Sequence, residues 1–188
     1  GVAFPFVKRF LGLNKLFPNS EPFRVVALSR NSPETARRFF NSCRHYHLPI
    51  HAGAFTSGQS TFPYISAFKV SLFLSANAAN VSRAIEAGLP GGLVLPNPMA
   101  DDGEDDDPTL RIAFDFDGVL ADDESERCYQ KEGLSAFHKN EMEKAETPHA
   151  PGPLRDLFAR LSAFQRLDYQ TRGSKDPYFK PAIRISIV

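Results

Sequence analysis

Short apolar runs alternate with amphipathic stretches along the first half of this chain. Four runs have the length of a strand and are bounded by polar turn residues: 23–28, 52–56, 70–74 and 92–95. Apolar residues recur at helical spacing over 2–17, 32–45 and 78–87. Ser32 followed by Pro33 is typical of a helix start, and Gly88 is placed to end the third helix. Strands that alternate with helices predict an α/β fold with a parallel sheet and right-handed crossovers.

The second half of the chain continues this alternation. An apolar strand is predicted over 110–114, an amphipathic helix over 154–167, and a final strand over 183–188. Residues 122–146 are charged and broadly helical. Residues 152–161 resemble residues 1–10 in pattern, with weak identity. Each segment is a predicted helix that is followed by a polar loop and an apolar strand. The chain therefore contains either parts of two related α/β modules or two generic helix–loop–strand units.

An acidic run over 101–107, bounded by prolines, separates the two halves. Metal binding is one interpretation of its six acidic residues, but a charge block of this kind is typical of a solvated linker. We therefore expect an N-terminal unit over 1–100, an acidic linker over 101–108 and a second unit over 109–188.

Composition narrows the class of protein. The chain has 188 residues, of which 42% are hydrophobic, so it can bury a core and is not disordered as a whole. A formal net charge of +0 gives no support for binding to nucleic acid or to an anionic membrane, and no apolar run is long enough to span a bilayer. Cys43 and Cys128 form neither a disulfide framework nor a metal-ligand cluster, which favours a reduced, intracellular protein. The chain begins with Gly1 rather than Met, so we expect a piece of a longer protein.

The candidate chemistry lies directly after the strand over 110–114, in the turn Asp115-Phe116-Asp117-Gly118. Two carboxylates at positions i and i+2 leave a strand on the same side. They would lie at its carboxyl end, where open α/β sheets bind ligands. Gly118 allows the backbone to turn sharply and to approach a bound group closely. This arrangement is suited to holding a divalent cation and attacking phosphorus.

Two other interpretations of this turn exist. Asp-Gly after a strand is common turn chemistry, so a plain solvated turn stays open on local sequence alone. A calcium loop of the EF-hand type that starts at Asp115 is excluded. Such a loop needs an Asx and then a Gly where this chain has Val119 and Leu120.

The segment 111–126, with the letters F-D-F-D-G-V-L at its centre, resembles the first motif of the haloacid dehalogenase superfamily of phosphatases. More narrowly it resembles the cytosolic 5'-nucleotidase type I family, a likeness also carried by 29–32, 64–77 and 151–153. The family usually has F-D-G-D-A-V where this chain has F-D-F-D-G-V over 114–119, so the spacing of the aspartates is kept. The implied fold is a Rossmann-like parallel sheet of the haloacid dehalogenase type.

The resemblance also implies a function. It implies a magnesium-dependent 5'-nucleotidase that hydrolyses nucleoside monophosphates through an aspartyl-phosphate. Asp115 would be the nucleophile and Asp117 the general acid and base, and both would contribute to holding Mg²⁺, Asp117 through its backbone carbonyl. The implied partner is a nucleoside monophosphate, and neither nucleic acid nor a membrane is implied. The implied location is the cytoplasm, and a homo-oligomer is left open.

The same resemblance implies which parts of the family are absent. The family has a hydroxyl residue in a T-A-R-N motif directly after the strand matching 183–188, and then a Lys and an acidic pair. We therefore expect 1–100 to be a noncatalytic α/β module, and 109–188 to be a partial catalytic module with a cap over 122–150. By itself this chain should have little or no phosphatase activity.

Three alternatives remain open at this point. One is a phosphatase of the same superfamily for another phosphomonoester. Another is a noncatalytic interaction fragment. The third is a permuted single domain in which strands of 1–100 complete the sheet around Asp115.

Overall fold

The structure, a computed structural model, describes residues 2–17, 19–96 and 107–188. The chain divides into two compact units, 1–110 and 111–188. Most of the predicted acidic linker over 101–108 lies outside the described residues. In the ranges that are described, no helix is both long and apolar enough to cross a membrane.

The first unit alternates helices with short strands. Its elements are α1 Phe4–Gly12, β1 Val26–Ser29, α2 Pro33–His45, β2 Ala52–Phe55, α3 Phe62–Ala67, β3 Phe73–Ser75, α4 Ala78–Glu86 and β4 Gly91–Leu93. β1 pairs with β2 in parallel, from Val26 opposite Ala52 onward. β3 pairs with β4 in parallel, from Phe73 opposite Gly91 onward. The predicted α/β class with parallel pairing is therefore confirmed for this unit, whereas the haloacid dehalogenase arrangement of a single sheet stays a prediction.

The predicted bounds of the second and third helices of the first unit agree well with α2 and α4, whereas the first helix, predicted over 2–17, ends as an α-helix at Gly12 and continues as a 3-10 helix over Leu13–Leu16. Ser32 has extended backbone angles at the N-cap of α2, and Pro33 is the first helical residue. At the start of α4 the side chain of Asn77 accepts a hydrogen bond from the backbone N–H of Asn80, at 3.1 Å. Gly88 has φ 71° just after α4, which is the left-handed conformation expected of a helix-ending glycine.

Two strands of the first unit begin three residues later than predicted. The side chain of Asn14 accepts a hydrogen bond from the N–H of Phe23 and donates one to its C=O. The backbone polar groups of Phe23 are therefore already paired before β1 begins. The N–H of Val70 donates to the C=O of Ile65 and so closes α3 instead of extending β3. The short helix α3 was not predicted, because six residues are too few for a clear helical period.

One core cluster of the first unit packs α1 against α2. Its buried members are Leu11, Cys43 and Ile50, with Val7, Val25, Phe39 and Leu48 packed against them. Burial raises the pKa of the Cys43 thiol above its ordinary value, because the thiolate would be poorly solvated there. Cys43 is thus a small buried residue, whereas Cys128 is only half-buried.

The second unit contains two strands and three helices. Its elements are β5 Leu110–Phe114, α5 Glu124–Glu132, α6 Leu134–Glu143, α7 Arg155–Thr171 and β6 Ile183–Ile187. β5 has the predicted bounds and neighbours β6. Gly133, with φ 81°, divides the predicted helical stretch into α5 and α6. In the part of the chain that is described β6 is the one neighbour of β5, so a central position of β5 in a larger sheet stays a prediction.

A buried carboxylate fixes the loop that leads into β6. Asp168 is 1% exposed and lies in the last turns of α7. Its two oxygens accept hydrogen bonds from Arg172, Nε at 2.5 Å and Nη2 at 2.8 Å, and Oδ2 also accepts the backbone N–H of Ala182 at 3.0 Å. The Arg172 guanidinium lies over the ring of Phe179. Asp168 therefore ties the helix to both ends of the loop before β6.

We expect Asp168→Asn to lower the free energy of unfolding by about 1–3 kcal/mol, because it removes one charge of a largely buried ion pair. Asp156→Asn is the matched control on the same helix. Asp156 also pairs with an arginine four residues later, Arg160, but both side chains are about two-thirds exposed. Its effect should be about 0.5 kcal/mol or less. Urea denaturation followed by circular dichroism measures both, and equal effects would contradict the structural role of Asp168.

Candidate functional site

The D-x-D-G turn begins where β5 ends. Phe114, the last residue of β5, is 4% exposed and packs edge to face on Phe158 of α7. Asp115 follows in extended conformation, and its Oδ1 accepts the backbone N–H of Phe116 at 2.8 Å. Both Asp115 and Asp117 are exposed to solvent. The structure thus places the two predicted site residues on one exposed turn at the carboxyl end of a strand.

The backbone of this turn is unusual over 116–120. The N–H of Ala121 donates to the C=O of Phe116, which makes a π-type turn. Asp117 is extended within it and Gly118 has φ 70°, a conformation that favours glycine. The N–H of Gly118 donates to the C=O of Asp122. Backbone hydrogen bonds therefore close the turn directly after the aspartates.

A proline-rich segment braces the turn from outside. Residues 119–122 run beside residues 150–154, with an antiparallel bridge between Ala121 and Pro151. Three backbone hydrogen bonds of 2.9–3.0 Å join them: Leu154 N–H to Val119, Gly152 N–H to Leu120, and Asp122 N–H to Ala150. The segment 151–153, one of those that carried the family resemblance, therefore has a structural function beside the aspartates.

The donor chemistry of the turn fits magnesium. Mg²⁺ prefers one or two carboxylates together with retained waters and substrate phosphate oxygens, and two exposed aspartates leave room for those ligands. Within 2–17, 19–96 and 107–188, no three His, Cys, Asp or Glu side chains are grouped so as to hold a metal ion. Asp122 Oδ1 is a further buried carboxylate oxygen, two residues past the π-type turn, and the described protein groups give it no hydrogen bond.

A cavity of about 550 Å³ lies beside the turn. It is lined by residues of the turn, the bracing segment, α7 and β6: Phe116, Leu120, Ala121, His149, Ala150, Pro151, Arg155, Phe158, Ala159, Ser162, Arg166 and Ile187. Asp115 and Asp117 are not among these residues. Sequence reasoning missed Arg155 and Arg166, although positions 155, 159, 162 and 166 share one face of a helix and could have indicated a basic face toward the turn.

The helices after the turn are joined by polar contacts. Ser125, which is buried, donates its hydroxyl to Glu141 Oε1 at 2.6 Å. Lys144 forms an exposed ion pair with Glu124. The hydrogen bond from Lys144, and then its charge, hold the pKa of the Glu124 carboxyl below its ordinary value. The same hydrogen bond raises the pKa of Lys144.

We expect the carboxyl of Glu124 to titrate below the ordinary pKa of a glutamate, because Lys144 favours its charged form. A carboxyl whose pKa is lower in the folded than in the unfolded chain adds stability above the unfolded value. That stability is lost as the pH falls through the folded value. The carboxyl ¹³C shift measured by NMR against pH gives the midpoint. Lys144→Met should move the midpoint up toward the ordinary value, and an unchanged midpoint would contradict the pair.

Comparison with known proteins agrees with the motif. A family model described as 5'-nucleotidase matches residues 1–188. Human cytosolic 5'-nucleotidase 1B is 32% identical over 178 residues, which are 90% of this chain and 28% of that protein. No solved structure matches the chain significantly. The chain therefore belongs to the 5'-nucleotidase family, and within it to the cytosolic type I group, which confirms the resemblance seen in the sequence.

The close approach of the bracing segment gives a test of how the turn is held. A Cβ atom at Gly152 would lie 2.3 Å from the C=O oxygen of Ala121 and 2.5 Å from that of Val119. Because these are backbone atoms, Gly152→Ala should separate the two segments and cost about 2–3 kcal/mol of stability. Gly12→Ala is the control, since nothing lies within 4 Å of its Cβ position in α1. It should be neutral or stabilising by up to about 1 kcal/mol.

Thermal unfolding measures both glycine variants, and hydrogen exchange of the Asp122 amide reports directly on the bracing contact. Faster exchange in Gly152→Ala alone is the expected result. Equal melting temperatures of the two variants would show that the segments do not approach as closely as described.

Proposed function

We propose that this protein is part of a magnesium-dependent 5'-nucleotidase that hydrolyses nucleoside monophosphates to a nucleoside and phosphate. The chain spans about 28% of the length of its human relative, so the activity is proposed for a longer form of the protein. Family membership supports the reaction class. The observation that carries the proposal is the pair of exposed carboxylates, Asp115 and Asp117, on a braced turn at the end of β5.

Asp115 is the proposed nucleophile. Its Oδ1 accepts the N–H of Phe116, which fixes the plane of the carboxylate. The other oxygen, Oδ2, would attack the phosphorus of the 5'-phosphate. The bond between phosphorus and the 5'-oxygen breaks, and the phosphoryl group is transferred to Asp115. Attack by a group already oriented on a short turn lowers the entropic cost of the step.

Asp117 is the proposed general acid and base. It would donate a proton to the departing 5'-oxygen, so that the nucleoside leaves as an alcohol. The resulting carboxylate would then accept a proton from the water that attacks the phosphorus. Cleavage of the phosphorus–Asp115 bond releases phosphate, returns Asp115 to its carboxylate form and leaves Asp117 protonated for the next cycle. Gly118, in its left-handed conformation, allows the backbone to turn directly after Asp117.

Magnesium would be held by the carboxylate of Asp115 and by Asp117, through its backbone carbonyl. When bound, the cation offsets the repulsion between a carboxylate and a phosphate dianion and stabilises charge on the transferring group. A cytoplasmic location belongs to the same proposal.

In a form of the protein extended past Val188 to the length of its relative, Asp115→Asn should abolish phosphate release from AMP. A neutral amide can neither attack phosphorus nor bind magnesium well. Asp117→Asn should slow turnover by about a hundredfold or more. Asp123→Asn is the matched control, because Asp123 lies near the turn but pairs with Arg127 in solvent. A malachite-green phosphate assay measures all three.

Wild-type turnover by Asp115→Asn would overturn the assigned nucleophile. Faster turnover of a sugar phosphate than of any nucleoside monophosphate would favour a phosphatase of the same superfamily that acts on another phosphomonoester. The 188-residue chain, assayed beside the longer form, should release little phosphate. Equal specific activity of the two would show that these residues form a complete site.

A further inference from the structure

A second cavity, of about 500 Å³, lies in the first unit at the carboxyl ends of β1 and β3. Ser29 and Ser75, the last residues of these strands, both line it. The carboxyl ends of parallel strands are the common position of ligand sites in α/β proteins, and this volume is in the range of small-molecule sites. All residues that line the cavity precede residue 84 and belong to the first unit.

The cavity is positively charged. Arg30 and Arg83 line it, and its lining includes neither Asp nor Glu. The Arg83 guanidinium lies 5.0 Å from the centroid of the Phe62 ring, a cation–π contact that limits the directions it can take. Two arginines without a carboxylate between them favour a ligand with two negative charges, and a guanidinium matches phosphate oxygens in pairs.

The strand ends add neutral hydrogen-bond donors. At both strand ends the same short turn occurs, in which the N–H of Asn31 donates to Ser29 Oγ and that of Asn77 donates to Ser75 Oγ, each at 3.1 Å. Since each serine oxygen accepts there, its hydroxyl hydrogen is left to donate to a ligand. Phe62 and Phe73, packed edge to face, form an apolar wall of the same cavity.

We propose that this cavity binds a nucleoside monophosphate at a second site, with the phosphate between Arg30 and Arg83 and the base against Phe62 and Phe73. The lining contains neither Asp nor Glu, so the aspartyl-phosphate route proposed for Asp115 does not operate in this cavity. The proposal does not depend on the activity assigned to Asp115.

AMP is titrated calorimetrically into the 188-residue chain and into the same chain carrying Asp115→Asn, and each arginine variant is made in the unsubstituted chain. We expect one AMP to bind, and Arg30→Gln and Arg83→Gln each to weaken binding by about tenfold or more, since each removes a charge-assisted contact to phosphate. Arg38→Gln is the control. Arg38 is exposed on α2 and does not line the cavity, so the same loss of charge should leave the dissociation constant within about twofold. Adenosine and inorganic phosphate, titrated separately, should each bind more weakly than AMP.

Failure to detect AMP binding, or equal weakening by all three arginine variants, would overturn the second site. Loss of binding on Asp115→Asn, with the arginine variants unchanged, would also overturn it and would place the AMP at the Asp115 turn instead. Full binding by the Asp115→Asn chain, with the loss confined to the Arg30 and Arg83 variants, would support this site whatever the catalytic result. Melting temperatures of the variants check that each remains folded.

Discussion

The pairing of residues 119–122 with 150–154 is the constraint on which the candidate site depends. It fixes the chain just after the aspartates, whereas the contact of Phe114 with Phe158 fixes the chain just before them. Asp115 and Asp117 are therefore exposed on a turn of which both ends are held. Catalytic groups need this combination, because a carboxylate must reach the substrate and yet lose little freedom when it does so. Gly152 makes the pairing possible, since any side chain there would meet two carbonyl oxygens.

Burial separates the carboxylates of the second unit into two kinds. Asp168 is buried and its oxygens are paired with Arg172 and the backbone of Ala182, so it stabilises the loop before β6. Asp115 and Asp117 are exposed, and the turn leaves them accessible. The same residue type therefore has a structural function in one place and a proposed chemical function in the other. What differs is the number of protein groups that surround each carboxylate.

The side chains at the strand ends carry opposite charges in the two units. β5 ends in carboxylates, whereas β1 and β3 end in serine turns beside Arg30 and Arg83. Carboxylates at a strand end can hold a cation and attack phosphorus, but arginines at a strand end can only hold an anion. A common α/β plan thus places groups of opposite charge at the strand ends of the two units, and the ligand chemistry proposed for each follows from the side chains and not from the fold.

The sequence by itself determined the local features of this protein. The bounds of β5, the N-cap at Ser32 and the D-x-D-G turn were all predictable, because each depends on residues that are neighbours along the chain. The resemblance of 111–126 and three other segments was sufficient for the family. The roles of Asp115 and Asp117 came from that resemblance, and local sequence alone left a plain turn open.

Only the tertiary structure decided the contacts between residues that are distant along the chain. Asn14 hydrogen-bonds the backbone of Phe23, so that β1 begins later along the chain than predicted. Gly152 packs closely against the turn at Val119–Ala121. Arg155 and Arg166 reach the cavity beside that turn, and Arg30 and Arg83 line the other cavity together. No local pattern specifies such pairs, because each is set by how helices and strands pack after they have formed. Packing therefore determined which polar residues line one cavity and where β1 begins, whereas local sequence was sufficient for the bounds of β5 and the start of α2.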